Sequence, residues 1–363
     1  MMRTLFTITF LVGTFSILLY GQSANVQKLI QEGVELHDAG EYKSAIGKYR
    51  KALEIDPKDI HATYELSLSY LALNDYQNAS KFSTVVINSK NKELSTGAYA
   101  VKSEALAGMN RLEDAINLLE EGLIKNGDEY LLHFNLAVNH YKKGDIENAI
   151  GHIKKSIDLD KSHSDAFLLN AYALNDKGLW VQSILSFQMF LLLEPDSKRS
   201  KNAFEEMLRT MRIKITEEPL ERSFIQQQLI RKTTKSSSHG EIPPLSIEEG
   251  LNRNFVYHAI ITALDSLKNT PEEESEFTLF KTVNKEIMQV IDKESKRDNN
   301  SSKEGVLWTF YIPFFSHIFQ SDYYDTFCRY ISVSYYHDSY EWWQQNTDIA
   351  QNFITWFEKG DNI

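Results

Sequence analysis

EGVELHDAGEYKSAIGKYRKALEIDP, from Glu32 to Pro57, decides the fold of the first half of this chain. Apolar and small residues fall at helical spacing on either side of Gly40-Glu41. Pro57 closes the run, since proline cannot continue a helix. The stretch reads as two helices joined by a tight turn. Its markers Gly33, Gly40, Tyr42, Ala45, Tyr49, Ala52 and Pro57 return, with substitutions, four more times before Pro195. A period of about 34 residues signals a repeat array, in which each helix pair buries its apolar face against the next.

The copies fall at 26–59, 60–93, 96–129, 130–163 and 164–197, with a two-residue insertion at Leu94 and Ser95. Breaks equivalent to Gly40-Glu41 stand at Asn74-Asp75, Asn110-Arg111, Gly144-Asp145 and Lys177-Gly178. Small residues recur where paired helices must approach closely. These are Gly33, Ser67, Ser103, Ala137 and Ala171 on the first helices, and Ala45, Ala79, Ala115, Ala149 and Ser183 on the second. Helix axes approach to roughly 8 Å only where such contacts carry little side chain.

These residues resemble the tetratricopeptide repeat family over about 170 residues, most specifically in copies one and four (NLAVNHYKKGDIENAIGHIKKSIDLD). The resemblance implies a superhelical stack of antiparallel helix pairs whose first helices line a concave groove. It places Ile30, Val34, Tyr64, Leu68, Phe134, Val138, Tyr141, Leu168 and Tyr172 toward that groove. One subgroup of the family grips a peptide's terminal carboxylate with Lys, Asn and Arg on successive first helices. The matching places here hold Ile30, Val34, Glu65 and Leu68, so that ligand class is disfavoured. An apolar, tyrosine-bearing groove suits an extended apolar peptide or a helix, although the same side chains can also serve as packing between helices.

Beyond Asp196, the run KNAFEEMLRTMRIKI keeps helical period, with Phe204, Leu208 and Met211 on one face. Residues 198–232 therefore read as capping helices over the last apolar face. TTKSSSHGEIPPL, Thr233 to Leu245, reads as a linker (233–245). Residues 246–363 read as an all-α C-terminal domain. Ser246 and Glu249 stand at capping-box spacing ahead of an apolar helix running to about Leu267. Further helices are expected near 274–293, 305–320, 323–337 and 340–358. The fold class is all-α: an α/α superhelical solenoid of five helix pairs followed by a smaller, aromatic-rich helical domain.

Charge and composition limit the role. The chain has 363 residues and a net charge of −11, which argues against nucleic acid as a partner, because such binding neutralises phosphates. Ten Lys and Arg against five acids between Lys198 and Lys235 read as a solvated basic face. The N-terminus reads as a signal peptide over residues 1–21. Arg3 is followed by the apolar stretch Thr4 to Tyr20, then by LYGQSA with cleavage after Gly21 or Ala24. The expectation is export to the periplasm or beyond, with no integral membrane domain after cleavage. Cys328 is the sole cysteine, so no intramolecular disulfide forms.

The C-terminal region is the second unusual feature: 18 of the 53 residues from Gly305 to Phe357 are aromatic, against 12% for the whole chain. Trp308, Tyr311, Phe315 and Phe319 recur at helical spacing and read as core, with a ligand pocket or protein contact, or contact with a membrane interface, as the competing readings. Pro313 suggests a kink or a helix restart. Catalytic signatures are missing from the sequence: no HExxH, Gly-rich phosphate loop, GxSxG or CxxC. His133 and His140 lie two turns apart without a third ligand, so no metal or cofactor is expected. His317, Asp322, Asp325 and Cys328 cluster in sequence, but a buried inert thiol is the simpler reading. The expected role is an exported, non-enzymatic scaffold that captures a peptide or protein in the groove. The alternatives are an enzyme or small-ligand site among the C-terminal helices, and self-association through the aromatic region.

Overall fold

Every repeat turns at a residue in the left-handed backbone region: Gly40 (φ 78°), Asn74 (59°), Asn110 (62°), Gly144 (85°) and Gly178 (79°). Such a residue ends a first helix sharply, and only glycine, with asparagine next, adopts it at little cost. The computed structural model describes residues 24–89, 91–213, 247–267, 275–297, 303 and 305–359. The signal peptide, the linker and the capping segment beyond residue 213 lie outside the described residues.

The helices set by these turns are α1 over residues 24–38, α2 (Tyr42–Ile55), α3 (Ile60–Ala72), α4 (Tyr76–Asn88), α5 (Lys92–Gly108), α6 (Leu112–Asn126), α7 (Tyr130–Lys143), α8 (Ile146–Leu159), α9 (Ser164–Asp176), α10 (Trp180–Leu193) and α11 (Lys198–Thr210). Asp59, Asp75, Asn91 and Asp145 each accept a first-turn amide as N-caps. The insertion at Leu94 and Ser95 is absorbed by α5, which runs to 17 residues. All ten recurring small residues are buried.

The chain divides into two compact units, one through Lys143 and one from Gly144. In the first unit, α2 to α7 pack in sequence, and the first helices also touch one another, α3 on α5 and α5 on α7. The core runs from Val26, Tyr49 and Leu66 to Tyr99, Leu119 and Leu136. Gly33 shows why a small residue recurs there: a Cβ would stand 2.4 Å from Cε1 of the buried Tyr49.

In the second unit, α8 packs on α9, α9 on α10 and α10 on α11. Phe204, Leu208 and Met211 are buried, as their spacing on one face of the capping helix predicts. The rest comprises a two-residue ladder, β1 (Ile247–Glu248) with β2 (Leu251–Asn252), then α12 (Arg253–Leu267) and α13 (Glu276–Ser295). A π turn, Leu307–Tyr311, leads into α14 (Ile312–Gln320), and α15 (Tyr324–Ile331), α16 (His337–Gln345) and α17 (Thr347–Lys359) follow.

Three sequence expectations need correction. Glu249 does not cap a helix. It and Gly250 (φ 46° and 91°) form a two-residue hairpin turn, and α12 starts only at Arg253. The helix expected over 323–337 ends at Ile331, in a run of turns. The one expected over 340–358 breaks at Asn346, whose side-chain amide donates to the Trp342 carbonyl (2.8 Å) and so competes with helix continuation. Pro313 does mark a restart, since the wider π turn precedes it.

Candidate interaction site

In the first unit, the positions read as groove-facing fall into two groups. Ile30 and Tyr141 are buried, while Val34, Tyr64, Leu68, Phe134 and Val138 stay half-buried. Val34, Tyr64 and Leu68 rest their inner edges on the core and keep the rest in solvent. Tyr64 is positioned by a neighbour that the sequence did not single out. At Gly97 on α5, a Cβ would stand 2.3 Å from the Tyr64 hydroxyl oxygen, so this ring reaches its place only over glycine. Phe134 stacks on Tyr130, with ring centroids 6.1 Å apart.

Charges sharpen this face. Glu65, beside Tyr64, has its carboxyl pushed up chiefly by burial, then by Asp38, with His61 acting the other way. Glu104 on α5 is pushed up by enclosure against the pull of Lys142 on α7, and Lys142 is pushed down by its own enclosure. On the surface Glu104 is exposed and Glu65 half-buried. Among the described residues, no cation stands within ion-pair distance of Glu65 or Glu104. Asn139 donates to Ser103 (2.9 Å) across the buried α5–α7 contact and fixes the two helices that carry Glu104 and Lys142.

The second unit is different. Leu168 is buried, and Tyr172 is half-buried with its ring edge-on to Phe187 (5.2 Å). The C-terminal region is built onto the last repeat. Phe310 stacks on Phe167 of α9. The Tyr311 hydroxyl donates to Ser186 and accepts from Asn170, both at 3.0 Å. The Glu248 carboxylate accepts the amides of Val181 and Gln182 at the start of α10 (3.1 and 3.0 Å), with Arg253 beside it. Gln188 donates to Asn284 (2.8 Å) in the interior. Every residue of α10 from Val181 to Leu192 is consequently buried.

Comparison with known proteins bears on the helix pairs. A family model described as TPR repeat matches residues 33–74, and one described as tetratricopeptide repeat matches residues 102–166. These residues carry tetratricopeptide repeats. It is 26% identical over 119 residues to the BBSome complex member BBS4 of Xenopus tropicalis, covering 33% of this chain and 23% of that protein. It is 24% identical over 151 residues to a TPR repeat-containing protein of Methanocaldococcus jannaschii, covering 41% and 26%. The chain thus spans about a quarter of the length of these relatives. Among solved structures, a thermophilic TPR protein of Thermus thermophilus matches at a TM-score of 0.45 and 20% identity, over 51% of this chain and 98% of that one. The pilF protein of Pseudomonas aeruginosa matches at 0.45 and 19%, over 53% and 86%. Neither family match extends past residue 166.

The reactive side chains singled out in the sequence are engaged within the fold. Cys328 is fully buried and its thiol is pushed up to about 12, mainly by burial. Its neighbours are Asn284, whose amide lies 3.8 Å from the sulfur, and Tyr324. His317 stacks on Trp356 rather than facing Cys328 as a base, and Asp325 pairs with Lys281 (2.6 Å). His133 lies 3.2 Å from Asp128. Among the described residues, no group of three or more His, Cys, Asp and Glu is arranged to hold a metal, and no helix is long and apolar enough to cross a membrane. Of the aromatic quartet, Tyr311 and Phe315 are core, and Trp308 and Phe319 are half-buried.

Proposed function

We propose that this protein is a non-catalytic scaffold whose inner repeat face, within residues 24–143, holds an extended segment of a protein partner. The carrying observation is the pairing of half-exposed apolar side chains (Val34, Tyr64, Leu68, Phe134, Val138) with two carboxylates on first helices, the half-buried Glu65 and the exposed Glu104, whose pKa values are both pushed up. Apolar side chains held open on a helical array supply contact area, and unpaired carboxylates beside them favour a ligand with basic side chains. A terminal carboxylate would meet Glu65 where the clamp of other repeats offers a cation. The apolar stretch between Thr4 and Tyr20 further supports a reading in which the protein acts outside the cytoplasm.

A photo-crosslinking residue at Leu68 tests the face against Ile124, an outward position that is 86% exposed. Crosslinks to a discrete partner from Leu68, absent from Ile124 and weakened by Tyr64→Ala with Phe134→Ala, are expected. Equal crosslinking from both positions overturns the reading. N-terminal sequencing of the protein recovered from cell fractions tests export, and an intact Met1 in the cytoplasmic fraction would refute it.

A further inference from the structure

Arg329 on α15 carries a charge that nothing among the described residues neutralises. Its guanidinium carbon lies 3.8 Å from the centroid of the Phe277 ring on α13 and 5.9 Å from that of Trp342 on α16. Three helices thus converge on one cation. Its Nε is shut off from solvent and has no acceptor. The usual partner on its own helix, Asp325 one turn earlier, is held instead by Lys281 at 2.6 Å. Arg297 and Arg253 in the same unit each face a carboxylate, at 3.3 and 3.4 Å, so the unpaired state of Arg329 is not the general condition of these helices.

Stacking on aromatic rings engages the faces of a guanidinium and leaves its in-plane N–H donors unmet. An arginine held this way presents a fixed planar fork, and the acceptor that matches a planar fork in two parallel bonds is a carboxylate or a phosphate. The surroundings select between them. Asp338 lies on α16, in a chain of net charge −11, so a doubly charged anion meets more repulsion than a singly charged one. Arg329 and Trp342 are both half-buried, so the site keeps contact with solvent.

We propose that Arg329, held against Phe277 and Trp342, is a recognition site for a carboxylate group. The site lies in the region that no family model matches, and it is independent of the inner repeat face.

The full chain, labelled with nitrogen-15 arginine, is titrated with sodium acetate, sodium phosphate and sodium chloride at constant ionic strength. The Nε–H resonance of Arg329 is the one missing from the spectrum of Arg329→Lys. Acetate should shift it along a saturating curve with a half-point at least tenfold below that for phosphate, and chloride should not saturate it. Tryptophan fluorescence of the unsubstituted protein should follow the same acetate curve through Trp342, which keeps the test open if Arg329→Lys does not fold. Trp342→Ala, which leaves the charge in place, should raise the acetate half-point at least threefold. A resonance and fluorescence that respond alike to acetate and chloride would show Arg329 to be a packing strut only. Tighter saturation by phosphate would overturn the assignment to carboxylates.

Discussion

Tyr311→Phe isolates what holds the C-terminal region on the last repeat. The ring is fully buried, and the substitution removes one oxygen without changing its shape. That oxygen donates to Ser186 Oγ and accepts from Asn170 Nδ2, both at 3.0 Å, while Asn170 also reaches Ser186 at 3.2 Å and Ser186 donates to the Phe167 carbonyl at 2.9 Å. Phenylalanine therefore deletes two hydrogen bonds and leaves one amide hydrogen of Asn170 unpaired, at a site where Asn170 and Ser186 are 5% and 0% exposed. Each such bond contributes about 1 kcal/mol net, and a stranded donor adds to the loss, so destabilisation of about 1–3 kcal/mol is expected. Urea denaturation followed by tryptophan fluorescence measures it, with Tyr340→Phe at a 44% exposed position as the control that should change little. A cycle with Ser186→Ala should show coupling of about 0.5–1.5 kcal/mol, because the two side chains share one network. A Tyr311→Phe change within about 0.5 kcal/mol, or strict additivity in the cycle, would refute the claim that this network holds α9, α10 and the π turn together.

Glu248 gives a pH signature: burial pushes its carboxyl up to about 7, although the amides of Gln182 and Val181 and the cation of Arg253 pull it down. Because the folded form then holds the proton more tightly than the unfolded form, the stability of the unsubstituted protein relative to Glu248→Gln should fall as pH rises from about 4.5 to 7, by on the order of 3 kcal/mol, and stay level above; chemical denaturation across that range would show a constant difference if the site were not buried. Two glycine substitutions should part company in thermal melts. Gly33→Ala drives a Cβ to 2.4 Å from the buried Tyr49 ring and should cost about 1–3 kcal/mol, whereas Gly97→Ala meets only the mobile end of Tyr64 at 2.3 Å and should leave stability within about 1 kcal/mol while weakening partner capture. Cys328 should react with a thiol-specific disulfide reagent only on unfolding, so reaction of the native protein at the rate of a free thiol would remove its burial.

The repeats were legible because their physics is local. A left-handed turn residue and close-packed small residues recur at fixed offsets, and Asn74 and Asn110 stand in for Gly40 without disturbing the pattern. The candidate face was legible only in part. Position in the repeat says which way a side chain points, but not how far its neighbours close over it. Ile30 and Leu168 are buried while Tyr64 and Phe134, at the equivalent position of other copies, are not. Gly97 escaped notice because its meaning lies in a ring 33 positions earlier. The docking of the C-terminal region did leave a signal. WVQSILSFQMFLLL lacks the polar face that the other second helices keep, and a helix apolar all round must be covered on every side. The hairpin at Glu249-Gly250 left none, because Ser246 and Glu249 fit a capping box equally well and only distant contacts decide. Leu307 donates its amide to the Glu249 side chain at 2.9 Å, and Trp308 donates its indole N–H to the Glu249 carbonyl.

Coverage and recognition compete for the same surface in an array of this kind. A terminal repeat exposes an apolar face that must be capped, and a cap made of further chain uses up whatever that face could have bound. Here the cap is specific rather than merely greasy. Gln188 finds Asn284, Ser186 finds Tyr311, and the first turn of α10 finds Glu248, so the C-terminal helices match α10 group by group in the interior. A surface covered to that degree has little left to offer a partner, because its side chains from Val181 to Leu192 are already buried. Side chains that keep solvent contact and charges that keep no counter-ion are the ones with free energy still to gain on binding. In the first unit they include Tyr64, Leu68, Phe134, Glu65 and Glu104. In the second, Arg329 meets the same criterion by its charge.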